Sequence, residues 1–175
     1  MDLKSTDTRY GKVAILIHWA SAVAVVLAFA AGAVTAGTEP APLGPLVAHI
    51  ALGVSVLVLT LLRIVWWLVA DRHPPPAVDQ SRWQQISAGA VHWLLYAVLI
   101  LMGTSGIMTL LLSGAIPALV AGGPVPDFST VLPRIAHGAM SKLLLALFVG
   151  HVGAALYHQF VRRDHLLARM GIGRA

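Results

Sequence analysis

Cysteine is absent from the chain. That removes disulfides, thiolate nucleophiles, cysteine-ligated iron–sulfur clusters and thioether-attached haem together. Charge is scarce as well: Asp, Glu, Lys and Arg make up 11% of the 175 residues, against ~25% in soluble domains. A water-soluble body of this size could not cover its surface with so few charges. With 58% apolar residues, the bilayer is the medium the composition requires. Only seven carboxylates exist, and Asp2, Asp7, Asp71, Asp79 and Asp164 lie in polar stretches. Paired-carboxylate catalysis inside the apolar body is thereby disfavoured. What the chain does have is histidine, eight residues, more than all its carboxylates.

The long apolar runs are Val13–Ala36, Leu46–Ala70, Ile86–Leu112 and Ile135–Val161. At ~1.5 Å per residue each is long enough to cross a ~30 Å hydrocarbon core with some tilt. The connectors carry the breaks: a Pro/Gly-rich turn over Gly37–Pro45, and His73-Pro-Pro-Pro76, which cannot continue a helix. The third connector, Ser113–Pro133, is the longest, and its Ala115–Val120 stretch is too short to span and suits the interface. The expectation is an all-α, integral membrane four-helix up-down bundle, a single domain over residues 1–175, with both termini on one side.

Lys and Arg orient it. Ten of the twelve fall on the side of the termini: Lys4, Arg9, Lys12, Arg63, Arg72, Arg82, Arg162, Arg163, Arg169 and Arg174. Arg134 falls on the opposite side and Lys142 within the fourth span. Cytoplasmic termini follow. The net charge of +5 needs no nucleic-acid partner, because an anionic inner leaflet holds these residues. A secretory leader is the competing view of the N-terminus, but the first run is too long for one and contains His18-Trp19. The five Trp (19, 66, 67, 83, 93) fall near cytoplasmic ends, as an interfacial aromatic belt would.

His73 and His165 lie in polar connectors and are expected to be solvated. His18, His49, His92, His137, His151 and His158 lie in or at the ends of spans, where an ionisable side chain is a functional candidate. His49 and His137 are close to the outer surface; the other four belong to the inner half. The step from His137 to His151 is close to four helical turns, so both project from nearly one face, ~21 Å apart. One metal cannot use both, but two stacked sites can, each taking a partner from another helix. His49 is the outer partner. For the inner site His18 and His92 are both open, and His158, two turns past His151 on the same face, could replace it.

Two histidines per site suit haem, which needs two axial ligands and an apolar slot, better than zinc, which takes three or four ligands. Gly53, Gly138, Gly150 and Gly153 would thin the slot's walls, or serve close helix packing. Two b-type haems, each held by two histidines, is the reading of the residues alone.

The chain resembles the small bacterial di-haem cytochrome b-561 family, related to the cytochrome b subunits of nickel hydrogenases. The resemblance rests on Tyr10 with Ile17-His18-Trp19, and on His49 with Gly53 and Leu61-Leu62-Arg63 before a Pro-rich loop. It extends to His137 and Gly150-His151, then His158 and a basic tail. It implies His18 and His151 as ligands of a cytoplasmic-side haem, and His49 and His137 as ligands of a periplasmic-side haem, in a bacterial inner membrane. It also implies superoxide oxidation coupled to ubiquinone reduction. The alternative is a cytochrome b subunit relaying electrons between a partner dehydrogenase or hydrogenase and the quinone pool.

Further expectations attach to single residues. Arg63, close to four turns after His49 and on its face, is a haem-propionate partner, or else a snorkelling anchor. His158 and His92 are candidates for a quinone pocket or its proton supply. Lys142 and Arg134 could attract an anion from outside, opposed by Glu39 and Asp127. A haem-free transporter whose histidines relay protons is the third class of function, and an optical spectrum separates it from the other two.

Overall fold

A computed structural model describes residues 2–36, 38, 41–76, 80–129 and 131–173. Glu39, Asp79 and Arg174, and the Gly37 and Pro40 of the first connector, lie outside the described residues. Four helices are long and apolar enough to cross a membrane. They are α1 (Lys12–Ala36), α2 (Leu43–Val69), α3 (Arg82–Ser113) and α5 (Leu132–Tyr157), which continues through a π-helical turn at His158–Arg162. Between the last two lies α4 (Ala115–Ala121), and after the π turn comes the short α6 (Leu166–Arg169). Among the described residues there is no strand.

The helices start earlier than the apolar runs. Helix α2 takes in Pro45 within its first turn, and α5 takes in Pro133 at its start. Proline is tolerated there because the first N–H groups have no intrahelical partner. Helix α3 begins at Arg82 rather than at the first long apolar stretch because Ser81 caps it. Ser81 Oγ accepts from Gln84 N at 3.4 Å, and Gln84 Oε1 accepts from Ser81 N at 2.9 Å, a reciprocal capping box. Helix α3 stops at Gly114, whose φ of 70° takes the chain out of the helix at little steric cost. The short α4 is closed by Gly122 in the same conformation.

Packing is uneven around the bundle. Helix α1 packs along α2, α3 packs along α5, and α2 joins the two pairs through α3; α5 has no comparable backbone packing with α1 or α2. Few side chains are buried. The tightest cluster is Ala24, Val25 and Val56, backed by Phe29, Leu52, Leu99 and Phe148, at mid-bundle. Large apolar residues such as Leu16, Val58, Leu68, Leu101 and Val149 point outward on every long helix, as expected of elements solvated by lipid.

The two terminal segments meet at one end. Tyr10 N donates to Arg169 O (3.1 Å), Trp19 Nε1 to Met170 O (3.0 Å) and Arg169 Nε to Thr8 O (3.2 Å). Asp71, in the connector after α2, ties in the N-terminus. Its carboxylate accepts from Ser5 N (2.9 Å), Ser5 Oγ (2.8 Å), Trp66 Nε1 (3.1 Å) and Arg72 N (2.9 Å). Burial works against the Asp71 charge, but the bonds from the Ser5 side chain and backbone, then Arg72 and Trp66, outweigh it and hold the carboxyl below its usual range. This end also carries Lys4, Arg9, Lys12, Arg72, Arg82, Arg162 and Arg163, and is called the basic end below.

Candidate functional site

Helix alternation puts His18 (α1), His92 (α3) and His151 (α5) at one level toward the basic end, and His49 (α2) and His137 (α5) at another toward the far end. The His49 and His137 rings stand with centroids 5.9 Å apart at 83°. At the other level, His151 stands between two rings, 6.3 Å from His18 and 5.3 Å from His92. Both pairings through His49 and His18 cross from α5 to helices with which α5 shares little backbone packing. The histidines thus face one another across the looser seam of the bundle.

The far-end pair is fixed from behind. His49 Nδ1 lies 2.8 Å from Ala28 O, and His137 Nδ1 lies 3.1 Å from Met102 O and 3.2 Å from Ser105 Oγ. A carbonyl can only accept, so each Nδ1 carries the proton and each Nε2 keeps its lone pair. Glycine makes room for these rings. A Cβ on Gly32 would lie 2.9 Å from His49 Cε1 and Nδ1, and one on Gly106 would lie 3.3 Å from His137 Cε1. The pair opens on a cavity of 430 Å³ that Gly53, Arg134 and Lys142 also line. A Cβ on Gly53, Gly150 or Gly153 would meet nothing within 4 Å, whereas one on Gly138 would lie 3.3 Å from Arg134 Nη1. Of these two cations Lys142 is exposed and Arg134 is half-buried. Asp127, in the same region, accepts from Ser129 N (2.8 Å) and Ser129 Oγ (2.7 Å). These bonds lower its pKa.

The basic-end pair is held differently. Arg63 Nη1 donates to His18 Nδ1 at 2.9 Å. Trp19 stands edge-on to His18, and the Arg63 guanidinium lies over the Tyr96 ring, 5.7 Å from its centre. Arg63 Nε is buried without a partner. His92 is exposed on the bundle surface. His158 sits in the π turn, half-buried, with its Nδ1 on the Asp164 carboxylate. Arg163 and His165, the residues either side of Asp164, both adopt positive φ (55° and 56°), which turns the chain back toward His158. His165 and His73 are exposed, as their connectors suggested. His73 nevertheless lies against Trp67, with ring centres 4.0 Å apart and planes tilted by 42°. Burial, then Arg63, lowers its pKa against the opposing pull of Asp71.

Both main pairings set two imidazoles opposite one another, with ring centres 5.9 and 6.3 Å apart, and two such ligands per site are what haem would take from the chain. The residues therefore fit haem. Among the described residues no three His, Asp or Glu gather round a common point. The unpartnered Arg63 Nε beside one pair is a donor of the kind that a haem carboxylate satisfies.

A membrane four-helix bundle that turns paired histidines inward at two levels is built as a b-type cytochrome. The chain belongs to the prokaryotic cytochrome b561 family, whose sequence profile matches residues 9–173. That makes it a bacterial membrane electron-transfer protein and implies haem b. It is 31% identical to cytochrome b562 of Cereibacter sphaeroides, over 92% of this chain and 94% of that one. It is 28% identical to cytochrome b561 homolog 2 of Escherichia coli, over 97% and 95%. It is also 27% identical to the probable superoxide oxidase CybB of Yersinia pestis, over 93% and 95%.

Several groups at these sites were not legible in advance. Nothing in the sequence singles out Gly32 or Gly106. Ser105 is one hydroxyl in an apolar run, and Asp164 is one of the carboxylates in polar stretches. A pair of polar residues one turn apart within a span (Ser105, Thr109) is a signal too general to name a partner.

Proposed function

We propose that the protein carries two haem b groups, one between His49 and His137 and one between His18 and His151. It passes electrons from superoxide, at the far end, to ubiquinone at the basic end. The observation that carries this is the pair of histidine couples at 5.9 and 6.3 Å, each including one residue of α5, His137 or His151. His18 is preferred to His92 as the partner of His151 on the resemblance to the family, and because its 6.3 Å spacing is closer than 5.3 Å to the 5.9 Å of the far-end pair.

When bound between these histidines, such groups would supply one-electron transfer. The chain's own residues do the rest. Ala28 O and Met102 O orient the far-end imidazoles and keep their Nε2 atoms bare. Arg134 and Lys142, on the walls of the far-end cavity, draw in an anion, and the similarity to a probable superoxide oxidase favours superoxide. Two superoxide anions give up one electron each and leave as oxygen, and one quinone takes those two electrons and two protons. His158, backed by Asp164, and His92 are the residues placed to pass protons near the basic end. Arg63 balances haem propionate charge there. The positive-inside distribution makes the basic end cytoplasmic and the far end periplasmic, in the inner membrane.

The test gives purified protein a superoxide source and a ubiquinone analogue. Quinol formation that stops with superoxide dismutase is the expected result. Full haem content with negligible quinol formation would sink the oxidase reading and favour a cytochrome b subunit serving a redox partner protein.

A further inference from the structure

One stripe of α2 runs the length of the bundle. His49, Gly53, Val56, Thr60, Arg63 and Trp67 recur at three- and four-residue steps, so all share a face. Val56 is 6% and Thr60 2% exposed, which identifies this face as the one turned inward. Two donors at its basic end are buried and unpartnered: Arg63 Nε and, one turn on, Trp67 Nε1. A buried donor without an acceptor is rare in folded proteins, because it has given up water for nothing. Two of them one turn apart point to one shared acceptor.

The Trp67 ring is fixed for such a role. Tyr10 meets it edge-on at 6.0 Å and His73 lies against it, tilted, at 4.0 Å, so its orientation is held while its N–H is left over. Arg63 lies over the Tyr96 ring, and an acceptor beside it would draw its donors away from His18 Nδ1, freeing that ring to act as a ligand. The acceptor should be anionic. Arg63 is a cation with a buried Nε, and among the described residues no Asp or Glu pairs with it. A neutral carbonyl would satisfy the N–H groups but leave that charge uncompensated.

We infer that Trp67 Nε1–H and Arg63 Nε–H form a two-donor clamp for a carboxylate, and that the carboxylate is a propionate arm of the basic-end haem. Trp67 is thereby a cofactor-binding residue in addition to Arg63. The inference rests on the proposal that His18 and His151 hold a haem at this level.

The experiment uses the purified haem-loaded protein. H18A tests the underlying reading first: it should hold half the haem of the wild type, and if it holds all of it the ligand assignment and the clamp both fail. W67F then removes the N–H and keeps the ring between Tyr10 and His73. It should retain both haems and lower one of the two midpoint potentials, since a carboxylate with one donor fewer favours ferric iron. The expected change in that reduction equilibrium is a few-fold and at most about tenfold, or ~59 mV for one electron. The other potential should not move. With haem labelled by carbon-13 in its carboxyl groups, the redox-difference infrared band of one propionate should shift as well.

Unchanged potentials and carboxylate bands with both haems present would overturn the clamp. So would a loss of quinone affinity alone, which would hand the two donors to a quinone oxygen. If W67F loses a haem, W67H, which restores a ring N–H, should recover it. Failure of W67H to recover it would reduce Trp67 to a packing residue.

Discussion

The two histidine levels use the same side chains in nearly the same spacing, and they are supported by opposite chemistry. At the far end His49 and His137 rest on main-chain carbonyls. An acceptor behind Nδ1 puts the proton there and leaves Nε2 bare, ready to act as a donor atom to a metal. At the basic end His18 rests on the Arg63 guanidinium, which can only donate. A neutral His18 so held carries its proton on Nε2. For His18 to present a lone pair from Nε2, the Arg63 donors must go to another acceptor. The far-end pair is thus prepared by the backbone alone, whereas the basic-end pair is tied to where one charged side chain places its five N–H groups. The first arrangement is rigid and indifferent to ligand charge. The second would respond to any anion that draws the Arg63 donors away from His18.

The largest expected effect breaks the pairs one at a time. H49A or H137A should remove one of two haems, and H151A the other, while H92A should keep both. Haem-to-protein ratio and the reduced α-band measure this, and loss of haem in H92A with retention in H18A would reverse the basic-end pairing.

Next comes the space behind the far-end ring. G32A puts a methyl 2.9 Å from the His49 imidazole, whose Nδ1 is held on Ala28 O, and overpacking of this kind costs about 1–3 kcal/mol. Far-end haem should be weakened and basic-end haem unaffected. G53A, with nothing within 4 Å of its Cβ, should do much less, and equal effects would show that the crowding at Gly32 is not the cause.

A third prediction concerns the tie that closes the basic end. D71N should lower stability by about 2 kcal/mol, in line with lost hydrogen bonds to a charged, partly exposed group. The carboxyl is held below its ordinary range, so its contribution is complete above the unfolded-state pKa and is lost as pH falls through the lower folded value. Between about pH 6 and pH 3 the wild type should therefore lose more thermal stability than D71N. Parallel melting curves would contradict this.

The smallest effect belongs to S105A. His137 Nδ1 still has Met102 O, so the far-end site should loosen by only about 0.5–1.5 kcal/mol, read as a modest rise in haem dissociation rate.

The four spans were legible because lipid imposes a length and a composition that survive without knowledge of any contact. The register of His137 and His151 was legible too, since a helix's period fixes which of its own residues share a face. What periodicity cannot supply is the rotation of one helix relative to another. His151 lies between His18 and His92, and nothing in the spacing within α1 or α3 could say which of them stands at the axial distance. The π turn and α6 were missed for a related reason. They depend on Arg163 and His165 adopting a left-handed backbone that neither residue type favours, and the chain pattern there reads simply as a polar tail. Gly32 and Gly106 were hidden because a glycine that admits a ring from another helix looks the same, in sequence, as one that admits a backbone.

Helix α5 contributes one ring to each level, and this makes it a ruler. The separation and relative angle of the two levels on that side are written in covalent structure, as the uninterrupted α-helix from His137 to His151. Sliding or tilting α5 moves both rings together, whereas one residue inserted between them would swing one ring ~100° away from the other. Distance between the levels, with both rings kept on one face, can change only in whole-turn steps, so the spacing is protected against gradual change.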